Sequence, residues 1–332
     1  MRIAIIKLSA IGDIIHTMIV LQFIKKEYPK STIDWFVDES FKGVLEHNPH
    51  INTIQTISIK EAKKKKSFIF FFKEVIKLRK LKKYDLVIDV QNLIKSAVVA
   101  RMIPSNQIIG LDKSSCRESI ASIFYSHKYS VDHSLNVIKR NTLIINKALN
   151  LNITSADVNK KKPFLFYENS SMDEYISKEL RNILFVPGAS FDSKMYPPEK
   201  FAQISNEING NFIIIWGSSY EKLIAEKIKI LSPKVRIINK LTLNNLKVLI
   251  SQVDLVIGAD TGPTHMAWAL NVASISLFGP TPGYRNTYET KINKIIESKS
   301  EVNPLKIDKT DFSIKDIEVQ EIVKASKDLL NQ

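Results

Sequence analysis

Val256-Ile257-Gly258-Ala259-Asp260-Thr261-Gly262-Pro263-Thr264-His265 is the stretch whose reading decides the fold. Its apolar start reads as a buried strand, Asp260-Thr261-Gly262 as a tight turn, and Pro263 as lying near the first position of a helix, where a missing N–H costs nothing. A strand that passes through a tight turn into a helix leaves the first helical amides free to receive an anion. The geometry aims Thr261 and Gly262 at such a group. His265, in the first turn, could add a hydrogen bond to a phosphate, and read alone it is equally a satisfied core histidine. Asp260 contacts a ligand or only orients the turn.

Outward from this segment the same rhythm repeats. Strand-like runs over 182–187, 212–216, 235–238, 255–258 and 274–278 alternate with helix-like runs over 198–209, 220–231, 242–251 and 262–270. The first half shows strands over 2–8, 32–37, 53–57, 86–90 and 107–110, with a helix over 13–28 after the first of them. Such alternation builds parallel sheets from βαβ units. With 332 residues the chain exceeds the size at which one core stops growing. A lysine-rich polar stretch over 152–162, closed by Pro163, reads as the linker. The expected fold is α/β, two Rossmann-like doubly wound domains over 1–155 and 160–312 facing a central cleft. Residues 313–332, with Ile317, Ile322, Val323, Ala325, Leu329 and Leu330 at helical spacing, form a closing helix expected to pack back across the domains.

Ligands of such sheets bind beyond the carboxyl ends of the strands. After the first strand comes Ser9-Ala10-Ile11-Gly12-Asp13-Ile14-Ile15-His16, which lacks the G-x-G-x-x-G dinucleotide fingerprint. Asp13 reads in two ways: as a carboxylate complementing a helix N-terminus, or as a general base taking a proton from an attacking hydroxyl. In the second half, Pro187-Gly188-Ala189-Ser190 follows a strand and precedes Lys194. Small residues with free amides, a hydroxyl and a lysine suit phosphate oxygens, although Lys194 is by default a solvated charge.

Composition narrows the partners. The single cysteine, Cys116, excludes an internal disulfide and points to a reducing compartment. No apolar run approaches the roughly 20 residues that span a bilayer, and the short apolar start reads as a first strand rather than a signal peptide. There is no D-x-D triplet, and the six histidines show no metal-ligand spacing, so no metal or other cofactor is expected. The net charge of +14 calls for an anionic partner. Residues 60–83 alone hold eleven Lys or Arg against Glu61 and Glu74, around Phe68-Ile69-Phe70-Phe71-Phe72. That pattern fits an anionic membrane surface, or a solvated basic helix that packs its Phe residues into the core.

Lys7-Leu8-Ser9-Ala10-Ile11-Gly12-Asp13-Ile14-Ile15-His16-Thr17, Gly258 to His265 and Phe278-Gly279-Pro280-Thr281, in that order, resemble the ADP-heptose:lipopolysaccharide heptosyltransferases, glycosyltransferase family 9. Ile33-Asp34-Trp35-Phe36-Val37, Ile88 to Ala97 and Arg117 to Tyr125 resemble the heptosyltransferase I branch, which adds the first heptose to Kdo-lipid A. The resemblance implies a GT-B fold and an inverting, metal-independent transfer from ADP-heptose to the Kdo of Kdo-lipid A, at the cytoplasmic face of the inner membrane. It implies that Asp13 is the base and that Ser190, Lys194, Thr261, Gly262 and His265 hold the donor phosphates. Asp260 would contact the heptose, Glu221 the ribose and Leu241 the adenine. Lys64, Lys95 and Arg117 would face the acidic acceptor. The alternatives are heptosyltransferase II or a relative using another sugar, a non-catalytic nucleotide-binding module, and a basic nucleic-acid-binding protein. For the last, the chain carries no helix-turn-helix, zinc-finger or RNP-like signature, and nucleic acid is not an expected partner.

Overall fold

The computed structural model describes residues 1–58, 68–303 and 307–331. Its contacts divide the chain into two compact units, Met1–Phe166 and Tyr167–Gln332. The first contains β1 (Arg2–Ile6), β2 (Thr32–Asp38), β3 (Thr53–Ile57), β4 (Tyr84–Asp89), β5 (Ser105–Leu111) and β6 (His127–Tyr129). They form one parallel sheet in the order β3-β2-β1-β4-β5-β6. The second contains β7 (Asn182–Val186), β8 (Asn211–Ile214), β9 (Val235–Ile237), β10 (Leu255–Ala259), β11 (Ala273–Phe278) and β12 (Asn293–Glu297). Its order, β9-β8-β7-β10-β11-β12, repeats the plan of the first, again wholly parallel. Both are the Rossmann order, in which the chain reverses its direction of travel between the first and fourth strands, and ligands lodge at that switch point.

The central strands are apolar on both faces because helices cover both faces of a parallel sheet. Ile3, Ile5 and Ile6 of β1, Ile183 to Phe185 of β7 and Leu255 to Ile257 of β10 are fully buried. In the second unit Phe185 anchors the core, its ring centroid 5.0 Å from that of Phe201 and 5.1 Å from that of Phe212. Gly258 lets β10 lie close against β7, since a Cβ there would stand 2.7 Å from the Cβ of Val186.

Several elements differ from the sequence reading. The single helix expected over 13–28 is two, Ile11–Met18 and Val20–Glu27, meeting at Ile19. The edge strands β6 and β12, and the helices Ile94–Met102 and Val137–Leu149, were not anticipated. The last of these starts at Asn136, whose side chain accepts from the amides of Ile138 and Lys139, and stops at Asn150 in the left-handed region. The closing helix, Val319–Leu330, buries Ile322, Val323, Leu329 and Leu330 in the core of the second unit, against helix Pro198–Glu207 and strands β10 to β12. Among the described residues no helix is long and apolar enough to cross a membrane.

Candidate active site

Polar side chains collect at both switch points. In the first unit β1 ends in Ile6 and leads through Lys7, Leu8 and Ser9 to helix Ile11–Met18. Asp13 is the third residue of that helix, and its Oδ2 accepts from the amide of Ala10 at 3.4 Å. Lys7, buried, holds its Nζ 3.8 Å from Oδ1 of the same carboxylate and donates to the Val90 carbonyl at the end of β4. The Asp13 side chain nevertheless remains 47% exposed. One carboxylate oxygen thus complements the helix start, while the side chain stays open to solvent.

The loop after β4 braces this arrangement. Gln91 Oε1 accepts from the amides of Leu8 at 3.1 Å and Ser9 at 3.3 Å, tying the β1 loop to the β4 loop. Asp89, fully buried, accepts from the amides of Gln91 and Asn92 and from the Tyr125 hydroxyl at 2.8 Å. Burial pushes the Asp89 carboxyl up from its ordinary value, against hydrogen bonds from Ser96, Asn92 and Tyr125 that favour the charged form. Lys95 and Arg117 are both exposed. They flank a direct link, in which Glu118 Oε2 accepts from the Ile94 amide at 2.7 Å at the start of helix Ile94–Met102. Lys64 lies outside the described residues.

In the second unit β7 runs into Pro187 to Phe191 and a 3-10 turn, Asp192–Lys194, while neighbouring β10 runs into Asp260 and helix Gly262–Leu270. Lys194, expected to be solvated unless its place beyond a strand end turned it inward, is buried. Its Nζ lies 2.6 Å from Asp260 Oδ2 and donates to the Asp260 carbonyl at 3.0 Å, joining the two switch-point loops. His265 Nε2 is 2.9 Å from Asp260 Oδ1, and the Thr281 hydroxyl donates to Oδ2 at 3.5 Å. Burial alone would raise the Asp260 carboxyl. The Lys194 charge and the His265 contact outweigh it and hold the group well below the usual carboxylate range.

At the start of helix Gly262–Leu270, Thr264 donates its hydroxyl to the carbonyls of Ala259 and Thr261 and accepts from the Thr261 amide. The Thr261 hydroxyl is buried and has no hydrogen-bond partner among the described residues. A helix N-terminus, a buried lysine, a histidine and an uncommitted hydroxyl thus converge on one strand end, which is the chemistry an anionic leaving group requires. Glu221 lies against the loop that follows β7. It accepts from the amides of Gly217 and Ser218 and completes a capping box with Ser218 at the start of helix Ser219–Leu231. Its side chain crosses Gly188 so closely that a Cβ there would sit 2.4 Å from Glu221 Cδ. Ser190 is exposed on the β7 loop, and half-buried Leu241 precedes the N-cap Thr242 of helix Leu243–Gln252.

Three participants were not singled out from sequence: Lys7, Gln91 and Thr281. For Lys7 and Gln91 the signal is a polar residue set just after a central strand, as in Ile5-Ile6-Lys7 and Asp89-Val90-Gln91, and for Thr281 it is a hydroxyl that follows Gly279-Pro280 after β11. Among the described residues no three His, Cys, Asp or Glu side chains group as a metal ion would require.

Two Rossmann-type units, each with its polar groups gathered where the parallel sheet switches direction, define an α/β protein of the GT-B type. Residues 75–310 match the family model of glycosyltransferase family 9 (heptosyltransferase). The lipopolysaccharide heptosyltransferase 1 of Campylobacter coli is 37% identical over 345 residues, covering 99% of both chains. Among solved structures, Escherichia coli heptosyltransferase WaaC with ADP is similar in fold, with a TM-score of 0.80 at 21% identity, covering 99% of this chain and 100% of that one. The same enzyme with ADP-2-deoxy-2-fluoro heptose gives 0.76 at 21% identity, covering 98% and 100%. The chain belongs to glycosyltransferase family 9, the heptosyltransferases.

Proposed function

We propose that the chain transfers L-glycero-D-manno-heptose from ADP-heptose to the Kdo of Kdo-lipid A, inverting the anomeric centre without a metal ion. The observation that carries the reading is the buried Lys194–Asp260–His265 group at the β7/β10 switch point, set against a helix N-terminus. The donor's diphosphate takes its hydrogen bonds from the Gly262 end of that helix, the Thr261 hydroxyl, Lys194 and His265, with Ser190 on the neighbouring loop. Asp260, kept ionised, accepts from heptose hydroxyls. Glu221 accepts from the ribose, and the adenine lies along the backbone at Leu241.

Asp13 removes the proton from the Kdo hydroxyl as that oxygen bonds to the anomeric carbon. The bond from that carbon to the diphosphate oxygen breaks on the opposite side, and ADP leaves with its added charge met by Lys194, His265 and the helix amides. Lys95 and Arg117 face the acceptor's carboxylates and phosphates, and the protein works peripherally on the cytoplasmic face of the inner membrane. The 37% identity to a full-length heptosyltransferase 1 supports this acceptor over that of heptosyltransferase II. Purified protein incubated with ADP-heptose and Kdo-lipid A is expected to release ADP and yield a product heavier by one heptose. ADP release without a heavier lipid, or no turnover with this pair, refutes the assignment.

A further inference from the structure

Helix Phe68–Ile76 and the 3-10 turn Ser119–Phe124 both pack on helix Ile94–Met102 in the first unit. The first of these buries one part of its surface and exposes another. Val75 and, just beyond the helix, Leu78 are buried, whereas Ile69, Phe72 and Ile76, spaced along a single helical face, point into solvent. The turn presents Ile120 and Ile123 in the same way, and Ile94 opens the helix beneath. Exposure runs from 36% at Ile94 through 50% at Phe72 to 70% at Ile69. Phe72 is thus half out rather than packed inward.

Scattered apolar side chains on a surface need no explanation, but six large ones on three neighbouring elements do. The charge around them is one-sided. Lys73, Lys77, Arg79 and Lys80 are exposed beside the helix, and Lys95 and Arg117 beside the turn. The two acidic groups within these elements are engaged, Glu74 with Lys77 and Glu118 with the Ile94 amide.

We infer that this face docks on an anionic lipid bilayer, with the aliphatic and Phe side chains inserted below the headgroups and the Lys and Arg side chains on lipid phosphates. Each basic group near such a surface multiplies partitioning roughly fivefold, and apolar insertion adds a component that salt does not screen. A second copy of the chain would bring like charge against like. A nucleic acid would offer phosphates but no apolar interior for isoleucines, which cannot stack on bases. The inference deepens the proposed reading by naming the face through which a lipid-linked acceptor is approached, and it rests on that reading for which membrane is met.

The test is flotation of the full chain with vesicles of phosphatidylethanolamine and phosphatidylglycerol, and with vesicles of phosphatidylcholine alone, with neither donor nor acceptor present. The wild type is expected to float with the first and far less with the second. The triple variant Ile69→Ser, Phe72→Ser, Ile76→Ser and the double variant Ile120→Ser, Ile123→Ser should each partition at least about tenfold more weakly. Transfer to a soluble, acyl-free Kdo acceptor should be unchanged in both. Wild-type flotation by both variants overturns the inference, as does dimerisation of the wild type that either variant abolishes. If the wild type transfers heptose yet ignores anionic vesicles, the surface assignment fails and the activity stands. If it floats but transfers nothing, the activity fails and the surface stands.

Discussion

Replacing Lys194 with alanine tests the proposed donor site through stability, ligand affinity and pH dependence. In the native protein its ammonium is buried, 2.6 Å from Asp260 Oδ2 and 3.0 Å from the Asp260 carbonyl. Deleting one member of a buried ion pair leaves the other charge without compensation, which costs about 3–5 kcal/mol when no second partner exists. Here His265 still contacts Oδ1 at 2.9 Å, so the loss belongs at the low end, about 3 kcal/mol. For a unit of this size that is a fall in melting temperature of roughly 6–12 °C.

The same substitution removes the charged hydrogen-bond donor proposed for the diphosphate. A hydrogen bond to a charged group contributes about 1.5–3 kcal/mol, so ADP should bind roughly 10- to 100-fold more weakly. The acid limb of stability gives a third readout. Because the folded Asp260 carboxyl lies below its ordinary value of 3.8, its contribution is complete above that value and is lost as pH falls towards the folded one. Without Lys194 the folded value rises and that contribution shrinks, so the variant loses its margin of stability at a higher pH than the wild type. Thermal unfolding across a pH series and calorimetric titration with ADP measure all three effects. A variant that melts with the wild type and binds ADP equally well would falsify both the buried pairing and the phosphate role.

The other sites give sharper separations of rate from affinity. Asp13→Ala should lower kcat by roughly 10²- to 10⁴-fold while calorimetric ADP-heptose affinity stays near wild type, because a base acts in the transition state; a parallel fall in donor affinity contradicts the role. Gly188→Ala puts a Cβ 2.4 Å from Glu221 Cδ, so the carboxylate must leave the amides of Gly217 and Ser218. The expected cost is about 1–2 kcal/mol of stability together with weaker ADP binding, and an unchanged melting curve rules out that crowding. The Cys116 thiol is pushed up to about 12, by burial first and then by the charges of Asp89 and Asp112. Ellman's reagent at mildly alkaline pH should label it orders of magnitude more slowly in the native protein than in denaturant, and prompt labelling of the native form refutes its burial.

The alternation of apolar runs was enough to read two Rossmann-like halves, because central parallel strands such as Ile3-Ala4-Ile5-Ile6 must be apolar on both faces. The edges of the sheets were not legible for the complementary reason. A strand of three residues such as His127–Tyr129, or one that mixes polar and apolar groups such as Asn293–Glu297, carries too little pattern to stand out from a loop. Within the site, the turn around Asp260, Thr261 and His265 announced itself through its glycine and proline. The burial of Lys194 did not, since a lysine's partner is supplied by a loop 66 residues away. Gln91 was equally silent, because its value lies in the distance from its amide oxygen to two backbone N–H groups of another loop.

The repeated strand order has a consequence for how the molecule comes into being. In each sheet the opening strand is laid down at the middle and acquires its neighbour on one side promptly, β2 beside β1 and β8 beside β7. The other flank waits: Ile3 meets Leu86, and Ile183 meets Leu255, only after about half of each unit has been synthesised. These are the longest chain closures in their sheets, and long closures are what slow a fold. They are also the closures that create the switch points, so a nascent half that has folded everything local still possesses no pocket chemistry until its most distant pairing is made.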